Sequence, residues 1–272
     1  MKISKIAGVI LKTIIVIFMV FYVCGVFFII KDKSLYSFAI ITMVFVFLPA
    51  LFFMFFEKKF ILNFPNWKSK VFIAKIIYIC LILLLIVAMV LRYNYKTKTE
   101  DALAKINSVV LTIDDVMGKN LPPKPIKDLN DMTIAGFDVN NNGIRDDVEL
   151  AIFEKYPDSA KIRAGMLQYA LALQLELTEV INSETLVVIL QKESNARICI
   201  DNAGPEINLN TDPKIAKEAI VLTDNRKKEV DNFMLNTDLR SKKQLDIYKK
   251  YMTTYLTSLE KNCDIDLSIL PN

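Results

Sequence analysis

No histidine occurs anywhere in the 272 residues. That absence removes Ser-His-Asp and Cys-His nucleophile activation, and every histidine-containing zinc, copper or haem site. Acid–base chemistry would fall to Asp, Glu, Lys or Tyr. Acids are scarce in one region: residues 1–91 hold ten lysines and only two acids, Asp32 and Glu57. The first third therefore carries +8 within a chain of net charge +4, and the remainder carries −4. An acidic region with scattered lysines lacks the basic patch that displaces counterions, so no nucleic-acid partner is expected.

What the first third has instead is apolar sequence. Hydrophobic residues make up 53% of the chain and the mean hydropathy is +0.33. Three runs, at about 6–30, 35–56 and 71–91, each reach the ~20 apolar residues that cross a bilayer, and residues 1–91 read as a membrane domain of three transmembrane helices. Lys12 and Lys75 lie near run ends, where long stems reach the headgroups. The first run has no small-x-small cleavage site and extends six residues beyond Cys24, whose preceding Phe21-Tyr22-Val23 is a poor lipobox, so it reads as a retained helix and not a signal peptide.

Orientation follows from the lysine bias. The side shared by the N-terminus and the 57–70 loop carries Lys2, Lys5, Lys58, Lys59, Lys68 and Lys70; the other carries Lys31, Lys33, Arg92, Lys96 and Lys98. Six against five places the N-terminus in the cytoplasm and the C-terminal domain outside it, in a multi-pass plasma-membrane protein. The cysteines bear on the same question. Cys24 and Cys80 fall in apolar runs and read as reduced and inert. Cys199 and Cys263 fall in the polar part, where a bridge in an oxidising compartment would contribute about 2–4 kcal/mol; two free thiols are the alternative.

Beyond the membrane part the pattern is all-α. Residues 92–120 read as a connecting helix ended by Gly118, with Leu103, Ile106, Val109 and Val110 on one face. Residues 121–135, opening Leu121-Pro122-Pro123-Lys124-Pro125, read as a stiff linker. Residues 136–272 read as a helical domain. Its expected helices are Asp146 to Tyr156, one capped by Asp158, one capped by Ser183, one started by Asp212-Pro213, one over about 224–236, and one from Ser241 to Lys261. The second of these, with Ile162, Met166, Tyr169, Leu173 and Leu177 at 3–4 spacing, is expected at the centre. The last carries Leu245, Tyr248, Met252, Tyr255, Leu256 and Leu259 on one stripe.

One segment carries chemistry. Residues 138–149, Asp-Val-Asn-Asn-Asn-Gly-Ile-Arg-Asp-Asp-Val-Glu, fit the calcium-loop template D-x-[DN]-x-[DN]-G-x5-E. Calcium takes about 6–8 hard oxygens. Side chains at positions one, three and five (Asp138, Asn140, Asn142) converge if the backbone turns sharply at six, which Gly143 does cheaply. Position seven offers the Ile144 carbonyl, position nine, Asp146, acts through a water, and position twelve, Glu149, supplies two oxygens from the next helix. Arg145 stands at position eight, where paired loops want an apolar residue, and residues 128–137 are weakly helical. A lone loop is expected, with a dissociation constant on the order of 10⁻⁴–10⁻³ M. An Asn-rich turn that caps a helix without metal is the alternative.

The run Gly136-Phe137-Asp138 with Asn140-Asn141-Asn142-Gly143-Ile144-Arg145-Asp146-Asp147-Val148-Glu149 resembles the opening of an uncharacterised family of bacterial exported and lipoprotein helical domains, with an EF-hand-like or thrombospondin-type loop. The Pro-rich lead at 121–125, Asn236-Thr237 with Arg240, and Cys263-Asp264 match the same pattern. The resemblance covers about 120–270 and implies an exported location but no activity.

The functional expectation is a non-enzymatic, membrane-anchored periplasmic scaffold, stabilised by Ca2+, in contact with the lipid bilayer and with a protein or envelope partner, as a monomer or an oligomer. The alternative is a calcium- or envelope-sensing subunit of a membrane complex. An enzyme using acidic residues, such as Asp146 and Asp147, is a lesser alternative, because adjacent helical acids point about 100° apart.

Overall fold

The computed structural model describes residues 68–255 and 263–271, without the side chains at 68–71, 74, 75, 81, 82, 85 and 86. Every regular element among them is helical, with no strand. The chain divides into two units, Met1–Arg92 and Tyr93–Asn272. The two apolar runs at 6–30 and 35–56 lie outside the described residues. The third lies in helix α1, Lys68–Ser108, where Phe72, Ile73, Ile77, Leu83, Leu84 and Leu91 are exposed. Among the described residues no helix is long and apolar enough to cross a membrane.

In the second unit the order continues with α2 (Ile113–Met117), α3 (Lys127–Asp131), α4 (Asp146–Lys155), α5 (Ala160–Glu179), α6 (Ser183–Asn202), α7 (Pro213–Met234), α8 (Asp238–Tyr251) and a 3₁₀ turn at Leu267–Ile269. Helix α5 is the centre: α2, α4, α6, α7 and α8 all touch it. Its sequence explains why. Met166, Leu167, Tyr169, Leu171, Leu173, Leu175 and Leu177 are all buried, so its apolar residues wrap around the helix, and a helix apolar on most faces must be surrounded. Each fully buried large side chain contributes about 1.5–3 kcal/mol.

The helix ends show what local chemistry decides. Gly118 closes α2 in the left-handed region at φ 71, as its position suggests. Asp212 caps α7 and Pro213 fills its first turn. Other expectations are corrected. Ser159, one residue past Asp158, caps α5 by accepting from the Ile162 amide at 3.3 Å. Asn182, not Ser183, caps α6: its Oδ1 accepts from the Thr185 amide at 2.9 Å, while Thr185 Oγ1 accepts the Asn182 amide at 3.2 Å.

The connecting helix does not run to Gly118. It stops at Ser108, and a capping box between Thr112 and Asp115 starts α2 afresh. The helix expected at 224–236 is the second half of α7, which has no glycine or proline after Pro213 to interrupt it. Helix α8 begins at Asp238, capped by Thr237, and ends at Tyr251. Its buried positions are Arg240 and Ile247, while Leu245 and Met252 of the expected stripe are exposed; residues 256–262 lie outside the described residues.

Residues 93–135 belong to the second unit's core, through buried Ile106, Leu111 and Val116. Arg163 Nε donates to the Val116 carbonyl at 3.0 Å. The 121–135 segment is tied down at its far end: Arg240 donates to the carbonyls of Asn130, Thr133 and Ile134 at 2.7, 3.0 and 3.2 Å.

Candidate metal centre

The loop at 138–149 is framed before it turns. The Asp146 amide donates to the Phe137 carbonyl at 2.8 Å and closes its base. The Phe137 amide donates to Asn130 Oδ1 at 2.8 Å. Gly136 takes φ 65, and a Cβ there would stand 2.3 Å from Arg145 Cδ, so the strand of chain entering the loop passes against the arginine that leaves it.

Inside the loop the side-chain oxygens organise the backbone in the order the template requires. Asp138 accepts from the Asn142 and Gly143 amides at 3.1 and 2.9 Å, one on each carboxylate oxygen. Asn140 Oδ1 accepts from the Asn142 amide at 3.4 Å, and Asn142 Oδ1 from the Ile144 amide at 2.9 Å. Asn141 and Gly143 both take positive φ, 57 and 85, the left-handed steps that Asn and Gly tolerate best. Asp146 Oδ1 accepts from the Val139 amide at 3.0 Å. The amide groups of Asn140 and Asn142 donate to the two oxygens of Glu149 at 3.0 and 3.1 Å. Positions three, five and twelve thus meet directly, position one faces the same turn, and position nine pins the loop's second residue.

The electrostatics of this turn are unbalanced. Asp146 and Glu149 are buried, at 0% and 1% exposure. Desolvation raises the carboxyls of Asp138 and Asp146 above their usual range and pushes Glu149 up to about 7. Asp115, on α2, adds to the effect at Asp138 and Glu149; it is a nearby acid that the spacing rule alone does not reveal. Asp146 Oδ2 is buried with no hydrogen-bond partner. A buried carboxylate oxygen without a donor is costly unless a cation or a water serves it. The donor set is two amide oxygens, three carboxyls and the Ile144 carbonyl, all hard oxygens of the type calcium takes. Among the described residues no three acidic or cysteine side chains form a metal-holding group by themselves, so a metal here would need the asparagines and the carbonyl.

Arg145 departs furthest from the template. Its side chain is fully buried. It pairs with Asp147 at 2.5 Å and donates to the Phe233 and Met234 carbonyls at 2.6 and 3.2 Å and to Asn236 Oδ1 at 3.3 Å. Those carbonyls belong to the last turn of α7, which has no intrahelical donors left. Asn236 in turn accepts from Arg240 at 2.6 Å. Where a paired loop would bind its twin, this loop binds the α7–α8 corner. Beside α4 lies a groove of about 810 Å³, lined among others by Leu121, Lys124, Asp147, Leu150, Phe153 and Asn236.

Cys199 and Cys263 form a disulfide, with Cα atoms 5.0 Å apart, closing a separation of 64 residues. It ties the buried end of α6 to the C-terminal segment, where the Asp264 amide donates to Gln168 Oε1 at 3.0 Å. Cys80 is free and exposed, and Cys24 lies outside the described residues.

A second polar cluster has no sequence motif. Glu176 on α5 and Glu193 on α6 are buried, at 0% and 5% exposure. Gln244 Nε2 donates to Glu176 at 2.8 Å, and Tyr169 donates to Asp231 at 2.7 Å. No family model matches the sequence, and no curated protein or solved structure compared with it matches either. The likeness drawn over about 120–270 therefore rests on the sequence motifs alone.

Proposed function

We propose that this chain is a membrane-anchored helical module whose outward domain is stabilised by calcium and binds a protein or envelope partner. One observation carries the metal reading: Asp138, Asn140, Asn142 and Glu149 converge on one glycine-turned loop, beside an Asp146 oxygen that is buried without a donor. Calcium would be held by Asp138, Asn140, Asn142, the Ile144 carbonyl, Asp146 and Glu149. It would supply the positive charge that the buried carboxyls lack. Anchoring is supported by the three apolar runs, and the outward placement by the lysine bias and by a disulfide of the kind that persists in oxidising compartments. The histidine-free composition supports a binding role over a catalytic one.

The test is calorimetric titration of the full-length chain with calcium chloride. The expected dissociation constant is on the order of 10⁻⁴–10⁻³ M, with Glu149→Gln weakening it at least several-fold. Equal heats from the wild type and Glu149→Gln would remove the metal reading.

A second reading, a calcium-sensing subunit, is favoured by Arg145, which joins the loop to the α7–α8 corner. It expects calcium to slow hydrogen exchange at 233–240 as well as at 138–149. A change confined to the loop would leave only the stabilising role.

A further inference from the structure

We propose that Glu176 and Glu193 share a single proton and that its loss is a pH-sensitive switch on the docking of α8. The proposal does not depend on the calcium reading.

The geometry comes from α5, α6 and α8. Glu176 on α5 uses Oε2 to accept from Gln244 of α8, and its carboxyl also takes the Tyr248 hydroxyl of α8. Its Oε1 has no donor, and neither does Oε1 of Glu193 on α6. The two buried carboxyls lie close enough for each to act on the other. Two carboxyls buried side by side in the core cannot both ionise cheaply. A proton shared by the pair removes one of the two buried charges and supplies the donor that the orphan oxygens lack.

The nearby cation offsets the pair only in part. Arg197 of α6 faces it, but its guanidinium donates to the Tyr169 hydroxyl and stacks on that ring at 4.6 Å. Tyr169 of α5 passes its own proton toward Asp231 of α7. Asp231 itself repels the pair. Tyr248 is neutral, its hydroxyl pushed above its usual value by burial and by both glutamates. Burial also raises both glutamates, Glu193 the more strongly.

The sign follows from linkage. The folded protein holds the proton more tightly than the unfolded chain, whose glutamates titrate near ~4.3. The pair's contribution is fully present below that value and is lost as pH rises through the higher folded value. Gln244 and Tyr248 both reach Glu176 from α8, so this helix is the element that a second negative charge loosens.

The experiment is thermal unfolding of the full-length chain with chelator present, from about pH 5 to about pH 9, a range that begins just above the ordinary carboxyl value. The wild-type midpoint is expected to fall across the range. Glu193→Gln should flatten that fall, because the amide N–H takes the place of the shared proton. Glu176→Gln should do the same. The loop carboxyls contribute equally to all three proteins and cancel in the comparison. Infrared spectroscopy at neutral pH gives the independent signature: a protonated-carboxyl carbonyl band in the wild type, diminished in Glu193→Gln. Parallel midpoint curves in wild type and both variants would overturn the proposal, as would a carboxyl band unchanged by either substitution.

Discussion

The guanidinium of Arg145 donates to the Phe233 carbonyl at 2.6 Å, joining residues 88 apart in the chain. The same side chain holds the Met234 carbonyl, Asn236 and Asp147. A helix C-terminus that would otherwise bury unpaired carbonyls is completed from inside the candidate metal loop. Replacing Arg145 with alanine removes one side of a buried ion pair and strands two carbonyls. The expected loss is about 3–5 kcal/mol, read as a lower denaturant midpoint. Arg145→Lys, a single point charge in place of a planar fork, should recover only part of it. A loss below about 1 kcal/mol, the worth of an exposed pair, would mean that the corner is held by other contacts.

Gly143 sets the sharpest turn of the loop. At φ 85, a Cβ there would stand 2.8 Å from both Leu171 Cδ1 and Val109 Cγ1. Gly143→Ala combines left-handed strain with a clash against the core, so a destabilisation of about 1–3 kcal/mol is expected from the backbone alone. Calcium response should weaken in parallel. A variant as stable and as responsive as the wild type would show that the loop has room the structure denies it.

The disulfide offers a separate check. Cys263→Ser should lower stability by roughly 2–4 kcal/mol, with the helical circular dichroism largely retained at low temperature, because the core of α5 does not depend on it. An unchanged unfolding midpoint in wild type after full reduction would mean that the bridge does not form in solution.

Much of this architecture is legible in the sequence, for identifiable reasons. Helix α5 announces itself because apolar residues recur on several of its faces. Asp212-Pro213 and Gly118 mark ends because each supplies a conformation or a cap that few other residues do. The loop is legible because Asp138, Asn140, Asn142, Gly143 and Glu149 are fixed by one local geometry. Where two capping residues are neighbours, as at Asp158-Ser159 and Asn182-Ser183, composition does not choose between them; which oxygen reaches the third helical amide decides. The join of α7 is invisible because Thr223 and Asp224 can end a helix but need not.

The least legible feature is the Glu176–Glu193 pair. A glutamate in a helix reads as solvent-facing, and Glu176 is met here by Gln244 of α8, 68 residues further along the chain. Arg145 was visible only as a misfit to the template. Its reason, the α7–α8 corner, is a tertiary fact.

The central claim is that calcium binds residues 138–149 and stabilises the fold. Thermal unfolding of the full-length chain, titrated with calcium, magnesium and chelator, tests it most directly. A calcium-specific rise in the midpoint is expected, continuing through the millimolar range as ligand linkage requires and largely abolished by Glu149→Gln. A midpoint unmoved by calcium up to ~10 mM, well beyond the affinity of extracellular calcium modules, would contradict it and reduce the loop to a turn that caps α4.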